Sequence, residues 1–154
     1  MSIYVRRAML EDVDDIVAIA RRFHRESPIH SRLSFNDGKV RHLITVALED
    51  HDWLPCVAVD REGICGAALI FALPDFFSYD KVAGDFAFYV MPERRGSRAS
   101  LLLLDHIMDW AERKGVKRLD IGIRTGINQD AAERFFVKRG MHRTGSLVSI
   151  NLHD

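Results

Sequence analysis

The hydrophobic positions change their spacing several times along the chain, and each change marks an element. Residues 3–7 alternate and are rich in β-formers, predicting a first strand. Val13, Ile16, Val17, Ile19, Ala20 and Phe23 then recur at helical spacing. Glu11, Asp12, Asp14 and Asp15 suit the start of that helix and Arg21, Arg22 and Arg25 its end, because the helix dipole is positive at its N-terminus. Residues 27–38 contain Pro28 and an Asn36-Asp37-Gly38 breaker and read as a loop; Val40, Leu43, Ile44, Ala47 and Leu48 predict a second helix. Two apolar runs, 53–59 and 64–73, flank Asp60-Arg61-Glu62-Gly63, whose turn residues make the pair an antiparallel hairpin.

Past Pro74, a loop carrying Phe76, Phe77 and Tyr79 leads into a strand over 85–91, which Pro92 stops from pairing further. A long helix is expected over 97–114, ended by Gly115. A strand over 116–123, a helix over 128–139 ended by Gly140, and two short strands over 141–144 and 147–152 turning at Gly145-Ser146 complete the order β-α-α-β-β-β-α-β-α-β-β. No internal repeat or linker interrupts the 154 residues, so one domain over 1–154 is expected.

Composition narrows the functional classes. Lys plus Arg and Asp plus Glu each total 22, so the net charge is zero and nothing global favours a nucleic acid partner. Cys56 and Cys65 lie in apolar runs without zinc-site or disulfide spacing and read as buried thiols. The histidines are scattered, with no pair at ligand spacing on a helix, so no metal is expected. Without an apolar leader or any run approaching the roughly 18 apolar residues of a membrane span, the chain is expected to be cytoplasmic, with no membrane partner.

The most informative segment is Tyr89-Val90-Met91-Pro92-Glu93-Arg94-Arg95-Gly96-Ser97-Arg98-Ala99-Ser100. A strand enters a short basic loop containing glycine, and a helix starts directly after it. Free backbone N–H groups and the positive end of the dipole then converge, which suits a phosphate or pyrophosphate. The plain alternative is a solvated basic turn before a core helix.

This segment resembles the GNAT acetyltransferase family, whose pattern Gln/Arg-x-x-Gly-x-Gly/Ala cradles the pyrophosphate of coenzyme A. Arg95, Gly96, Ser97, Arg98, Ala99 and Ser100 take the six positions. Arg95 matches and Gly96 agrees with the usual Arg-Gly start, but Arg98 stands where glycine is expected and Ser100 where glycine or alanine is. Val5-Arg6-Arg7-Ala8 with Glu11-Asp12 looks like the family's first strand and helix, and Gly66 like its third-strand glycine. Residues 128–141 look like Asn-x-x-Ala-x-x-Leu-Tyr-x-x-x-Gly-Phe with one extra residue after the asparagine. Thr125-Gly126-Ile127-Asn128 resembles acetyltransferases of bacteriophages.

The resemblance implies an α/β (α+β) fold: a mixed, mostly antiparallel seven-stranded sheet with about four helices, splayed between the fourth and fifth strands at 85–91 and 119–123. Acetyl-CoA, the cosubstrate, would lie in the gap, held by Tyr89, Val90, residues Arg95 to Ser100, Asn128 and Phe136. An acetyl group would pass by direct attack to a primary amine of a small molecule or peptide. A homodimer is compatible with the family. The rival is a weakened acyl-CoA-binding or protein-interaction domain on the same fold; a nucleotide-binding domain lacks the acidic residue a ribose-binding motif needs.

Candidate chemistry follows from the same alignment. Asp85 falls where many relatives carry a glutamate base, and since an ordinary Asp has a pKa of about 3.9, burial or a bridging water would be needed. The plain alternative is an aspartate that binds a loop. Phe136 stands where relatives carry a tyrosine that protonates the leaving thiolate, which phenylalanine cannot do. Tyr79 and Tyr89 are candidate donors or pocket walls, and Asn128 reads equally as coenzyme ligand or helix cap. The acceptor would meet the loops at 27–37 and 74–84, with Phe76, Phe77 and Tyr79 as contacts.

Overall fold

The long apolar runs at 53–60 and 63–74 become the centre of one sheet, in a computed structural model that describes residues 2–153. Among these residues the strands β1 (Tyr4–Arg7), β2 (Trp53–Asp60), β3 (Gly63–Pro74), β4 (Lys81–Val90) and β5 (Arg118–Asp120) lie side by side in chain order. All neighbours are antiparallel except β4 and β5, which are parallel because helix α3 (Ala99–Lys114) carries the chain back between them. Helices α1 (Val13–Glu26) and α2 (Asp37–Leu48) cover one face, with Val17 and Ile44 packed near Val57; α3 covers the other, with Leu103 and Ile107 near Cys56, Ala58 and Ile70. Burial on both faces explains why β2 and β3 read as continuous apolar runs rather than alternating ones. Helix α4 (Gln129–Lys138) packs through Phe136 against Phe88, with ring centroids 5.5 Å apart.

Polar residues fix the joints. Arg6 grips Asp12 at 2.6 and 3.0 Å at the entry to α1, and that guanidinium holds the Asp12 carboxyl below the usual carboxylate range. Gly115 ends α3 in the left-handed region at φ 70°, the expected C-terminal signal. Both cysteines are buried and unpaired. No helix among the described residues is long and apolar enough to cross a membrane.

The sheet has five strands and not the expected seven. Residues 141–144 and 147–152 form no strand, and Leu147, Val148, Ile150 and Leu152 are exposed. An alternating pattern states that a segment is able to pair; it does not provide the edge, and β5 offers only three residues beside it. Smaller departures have local causes. Helix α3 starts at 99 rather than 97 because the Ser97 hydroxyl accepts the Ala99 N–H (3.2 Å) while donating to the Arg94 carbonyl (2.6 Å). Strand β4 begins at 81 rather than 85, extending the hairpin with β3 through the pair Pro74 and Lys81.

Candidate active site

The site begins where β4 and β5 part. They pair from Val82 with Arg118 to Gly84 with Asp120, and β4 then runs on to Val90 with β3 alone beside it. At the same point β4 carries a bulge: Leu69 faces Ala87 and Ile70 faces Asp85, leaving Phe86 as the extra residue, its ring held 5.3 Å from those of Trp53 and Phe71. A bulge reverses which peptide groups point to each neighbour. Met91 donates to the Cys65 carbonyl at 2.9 Å, so by alternation Phe88 and Val90 direct their N–H and C=O groups away from β3 into the gap. The expected splay is therefore present, and a cleft of about 340 Å³ occupies it.

One end of the cleft is rich in N–H donors. Gly96 and Ser100 line it, and the backbone N–H groups of Gly96, Arg98, Ser100 and Leu101 have no acceptor among the described residues. This is the orphan donor set of a helix start, with the dipole added. Gly96 sits at φ 86°, where a side chain is strained. Ala99 is fully buried and anchors the first turn, and the hydroxyl of Ser97 is occupied in the turn.

The arginines of the loop do unequal work. Arg94 pairs with Asp60 (2.6 Å) and with Glu62. Arg95 forks onto Glu26 at 2.6 and 2.8 Å, donates through Nε to the Val90 carbonyl at 3.1 Å, and lies over the Tyr89 ring. Its guanidinium therefore braces the loop against the end of α1. Arg98 makes no ion pair among the described residues and is exposed, though it does not itself line the cleft.

Tyr89 donates its hydroxyl to Glu26 at 2.5 Å, and its ring stacks on Phe23. Arg95 holds the Glu26 carboxyl below its usual range, while burial, with help from that carboxylate, pushes the Tyr89 phenol up to about 12. A phenol that holds its proton so firmly is a poor donor to a thiolate.

Asp85 is not among the residues that line the cleft; it is buried in β4 opposite Ile70, behind Gly122, which does line it. Its carboxylate accepts from the Gly122 N–H at 2.8 Å, and its carbonyl oxygen accepts from Arg124 Nη2 at 3.2 Å. Burial pushes the Asp85 carboxyl above the ordinary carboxylate value, with the Gly122 bond and Arg124 opposing it. Phe76 and Phe77 are 91% and 88% exposed, so the shielding comes from the sheet itself.

The wall facing β4 comes from the stretch before α4. Asn128 takes a left-handed backbone (φ 42°), tolerated by asparagine, and its side chain makes no cap bond; its carbonyl alone starts the helix. Its side chain is left free on a residue that lines the cleft. Phe136 lines the same wall, and a phenyl ring brings no proton donor. Tyr89, Val90, Arg95, Gly96, Ser100, Asn128 and Phe136 thus meet in one cleft. Phe76, Phe77 and Tyr79 sit apart, exposed on the β3–β4 loop.

The model of the acetyltransferase (GNAT) family matches residues 13–141. The chain belongs to the GNAT acetyltransferase family. No curated protein matches the sequence. Among solved structures, a transcriptional regulator from Bacillus halodurans C-125 superposes with a TM-score of 0.79 at 15% identity, covering 98% of this chain and 100% of its own. Glucosamine-6-phosphate N-acetyltransferase from Arabidopsis thaliana gives 0.76 at 14% identity, covering 99% and 100%. A predicted acetyltransferase with acetyl-CoA from Clostridium acetobutylicum gives 0.73 at 16% identity, covering 97% and 96%. At these identities the likeness is one of fold.

Several residues of this GNAT cleft carry no sequence signal. Glu26 reads as one more acidic residue near the end of a helix, yet it holds Arg95 and Tyr89 from 69 and 63 positions away. Ser27 is fully buried, donates to the Thr125 carbonyl and accepts the His30 N–H, locking the loop after α1 to the wall before α4. Gly122 and Arg124 matter because the chain passes Asp85 there. For Gly126 the hint was its place in Thr-Gly-Ile-Asn: at φ 76°, its added Cβ would stand 2.7 Å from Pro28.

Proposed function

We propose that this GNAT protein transfers the acetyl group of acetyl-CoA to a primary amine. The observation that carries the reading is a single cleft joining unpaired N–H groups at the start of α3 to the strand gap at Gly122, whose N–H is bonded to the buried carboxylate of Asp85. The N–H groups of Gly96, Arg98, Ser100 and Leu101, with Arg98 nearby, suit the pyrophosphate. The free N–H and C=O of Phe88 and the N–H of Val90 suit the amides of the pantetheine arm, the Val90 carbonyl being taken by Arg95, and Asn128 lines the same space. The coenzyme supplies an activated thioester.

Asp85, raised by burial, takes a proton from the incoming ammonium directly or through a water. The freed nitrogen bonds to the thioester carbonyl carbon, the carbon–sulfur bond breaks, and the sulfur leaves as thiolate. Phe136 has no proton to give and Tyr89 is committed to Glu26, so water protonates the thiolate.

A thermal or urea scan with acetyl-CoA tests the reading. At about 100 times the dissociation constant the native state should gain about 2.7 kcal/mol. No shift at millimolar acetyl-CoA would remove the coenzyme site. Gly96→Val should weaken coenzyme A about tenfold or more in a titration, since a β-branched residue fits poorly at φ 86° and crowds the approach of phosphate to backbone. Unchanged affinity would place the pyrophosphate elsewhere.

A second reading, acyl-CoA binding without turnover, is favoured by the lack of an available phenol at Phe136 and Tyr89. Phe136→Tyr separates the two. In an enzyme it should leave the rate of thiol release unchanged or raise it, whereas in a pure binding domain no amine releases thiol from either form.

A further inference from the structure

Two hydrogen bonds cross the gap where β4 and β5 part, and both end on Asp85: one from the Gly122 N–H to its carboxylate (2.8 Å), one from Arg124 Nη2 to its carbonyl oxygen (3.2 Å). The Arg124 guanidinium folds back over Gly122, where an ideal Cβ would stand 1.8 Å from Nη1. Only the missing side chain at 122 lets the guanidinium lie there. Arg124, like Arg98 and several other arginines, makes no ion pair among the described residues; what sets it apart is the bond that holds its guanidinium at Asp85. A guanidinium carries five N–H donors, and this one spends a single bond. Arg124 is exposed and does not itself line the cleft, but its neighbours Gly122, Ile123 and Thr125 do, which puts its guanidinium at the rim. A staple across the gap needs one donor; the rest of the fork is held in place and unpaired, which is the arrangement that binds carboxylate or phosphate in a defined plane.

The geometry points to Arg124 as the anchor for an anionic group on the acceptor, so that the acceptor is a small amine bearing a carboxylate or phosphate. This inference rests on the reading of the cleft as an acetyl-transfer site with Asp85 at the amine end. The Asp85 carboxylate accepts from Gly122 and the Arg124 guanidinium lies against the same residue, so a short spacer between amine and anion suits the acceptor. β-Alanine and O-phosphoethanolamine, each with two carbons between the amine and the anionic group, probe that spacing. A lysine side chain on a polypeptide brings no anion to that place.

Calorimetric titration of the protein saturated with coenzyme A, using β-alanine, O-phosphoethanolamine and n-propylamine, tests this. At least one anionic amine should bind about tenfold or more tightly than propylamine, since a charge-assisted bond is at stake, and the better of the two decides between carboxylate and phosphate. Arg124→Gln should abolish the preference while leaving propylamine and coenzyme A within about twofold of wild type. Arg124→Lys should restore part of it, as a point charge without the fork. Gly122→Ala, which keeps the charge but displaces the guanidinium, should also lose it.

Propylamine binding as tightly as both anionic amines, or Arg124→Gln weakening all three equally, would overturn the assignment. The same titrations without coenzyme read the anion site by itself. Failure of coenzyme A to bind would strike the acetyl-transfer reading, and an anion preference without thiol release would leave the anchor standing while ending the catalytic one.

Discussion

Asp85→Asn should lower turnover about 10²–10⁴-fold, the usual worth of a positioned base, with coenzyme affinity and fold retained. The substitution suits the question because the carbonyl oxygen of asparagine still accepts from Gly122, so the bond across the gap survives. The pH dependence carries a further sign. Burial raises the Asp85 carboxyl, so in the wild type its ionisation costs stability as pH rises from the ordinary carboxylate value to the raised one. Asparagine removes that cost, and the variant should lose less stability than wild type across that window. In kcat/KM the ionised form is the active one, so the acid limb should lie above the ordinary carboxylate value in the wild type and vanish in the variant. Wild-type turnover by Asp85→Asn, measured on an amine acceptor across pH 6 to 9, would take Asp85 out of the proton path.

Leu103→Ala should cost about 2–5 kcal/mol in urea unfolding, with little change in m. Leu103 is fully buried in the second turn of α3, against the face of the sheet that holds Ala58, Cys65 and Ile70. Removing it leaves a cavity beneath the helix whose first turn supplies the unpaired N–H groups of the proposed pyrophosphate site. Those N–H groups belong to the backbone near Ala99 and Ser100, so acetyl-CoA should still bind the folded fraction and recover about 2.7 kcal/mol at about 100 times its dissociation constant. A cost below about 1 kcal/mol would show that the helix is not held by this contact.

Most of the fold and part of the candidate cleft were legible in the sequence. The helices over 13–26 and 99–114 are announced by their apolar spacing, by charge at the ends of the first and by Gly115 after the second. The β2–β3 hairpin follows from two apolar runs and Gly63, which takes φ 122° at the turn. The strand, glycine loop and helix around 90–104 are local and so predictable, including the orphan N–H groups that any helix start leaves.

What spacing leaves undecided is pairing across long separations. Whether 147–152 becomes a strand depends on a free edge and not on its alternation. Whether Arg95 meets a phosphate or a carboxylate depends on Glu26, brought to it by the packing of α1 on β3 and β4. The raised carboxyl of Asp85, the free fork of Arg124 and the peptide groups of Phe88 and Val90 that point away from β3 all arise from one bulge and one divergence between β4 and β5. These are consequences of which strands lie side by side. Local propensity and periodicity set the elements of this protein because they act within a few residues. Its chemistry was decided by tertiary structure, because burial and charge partners come from residues dozens of positions away.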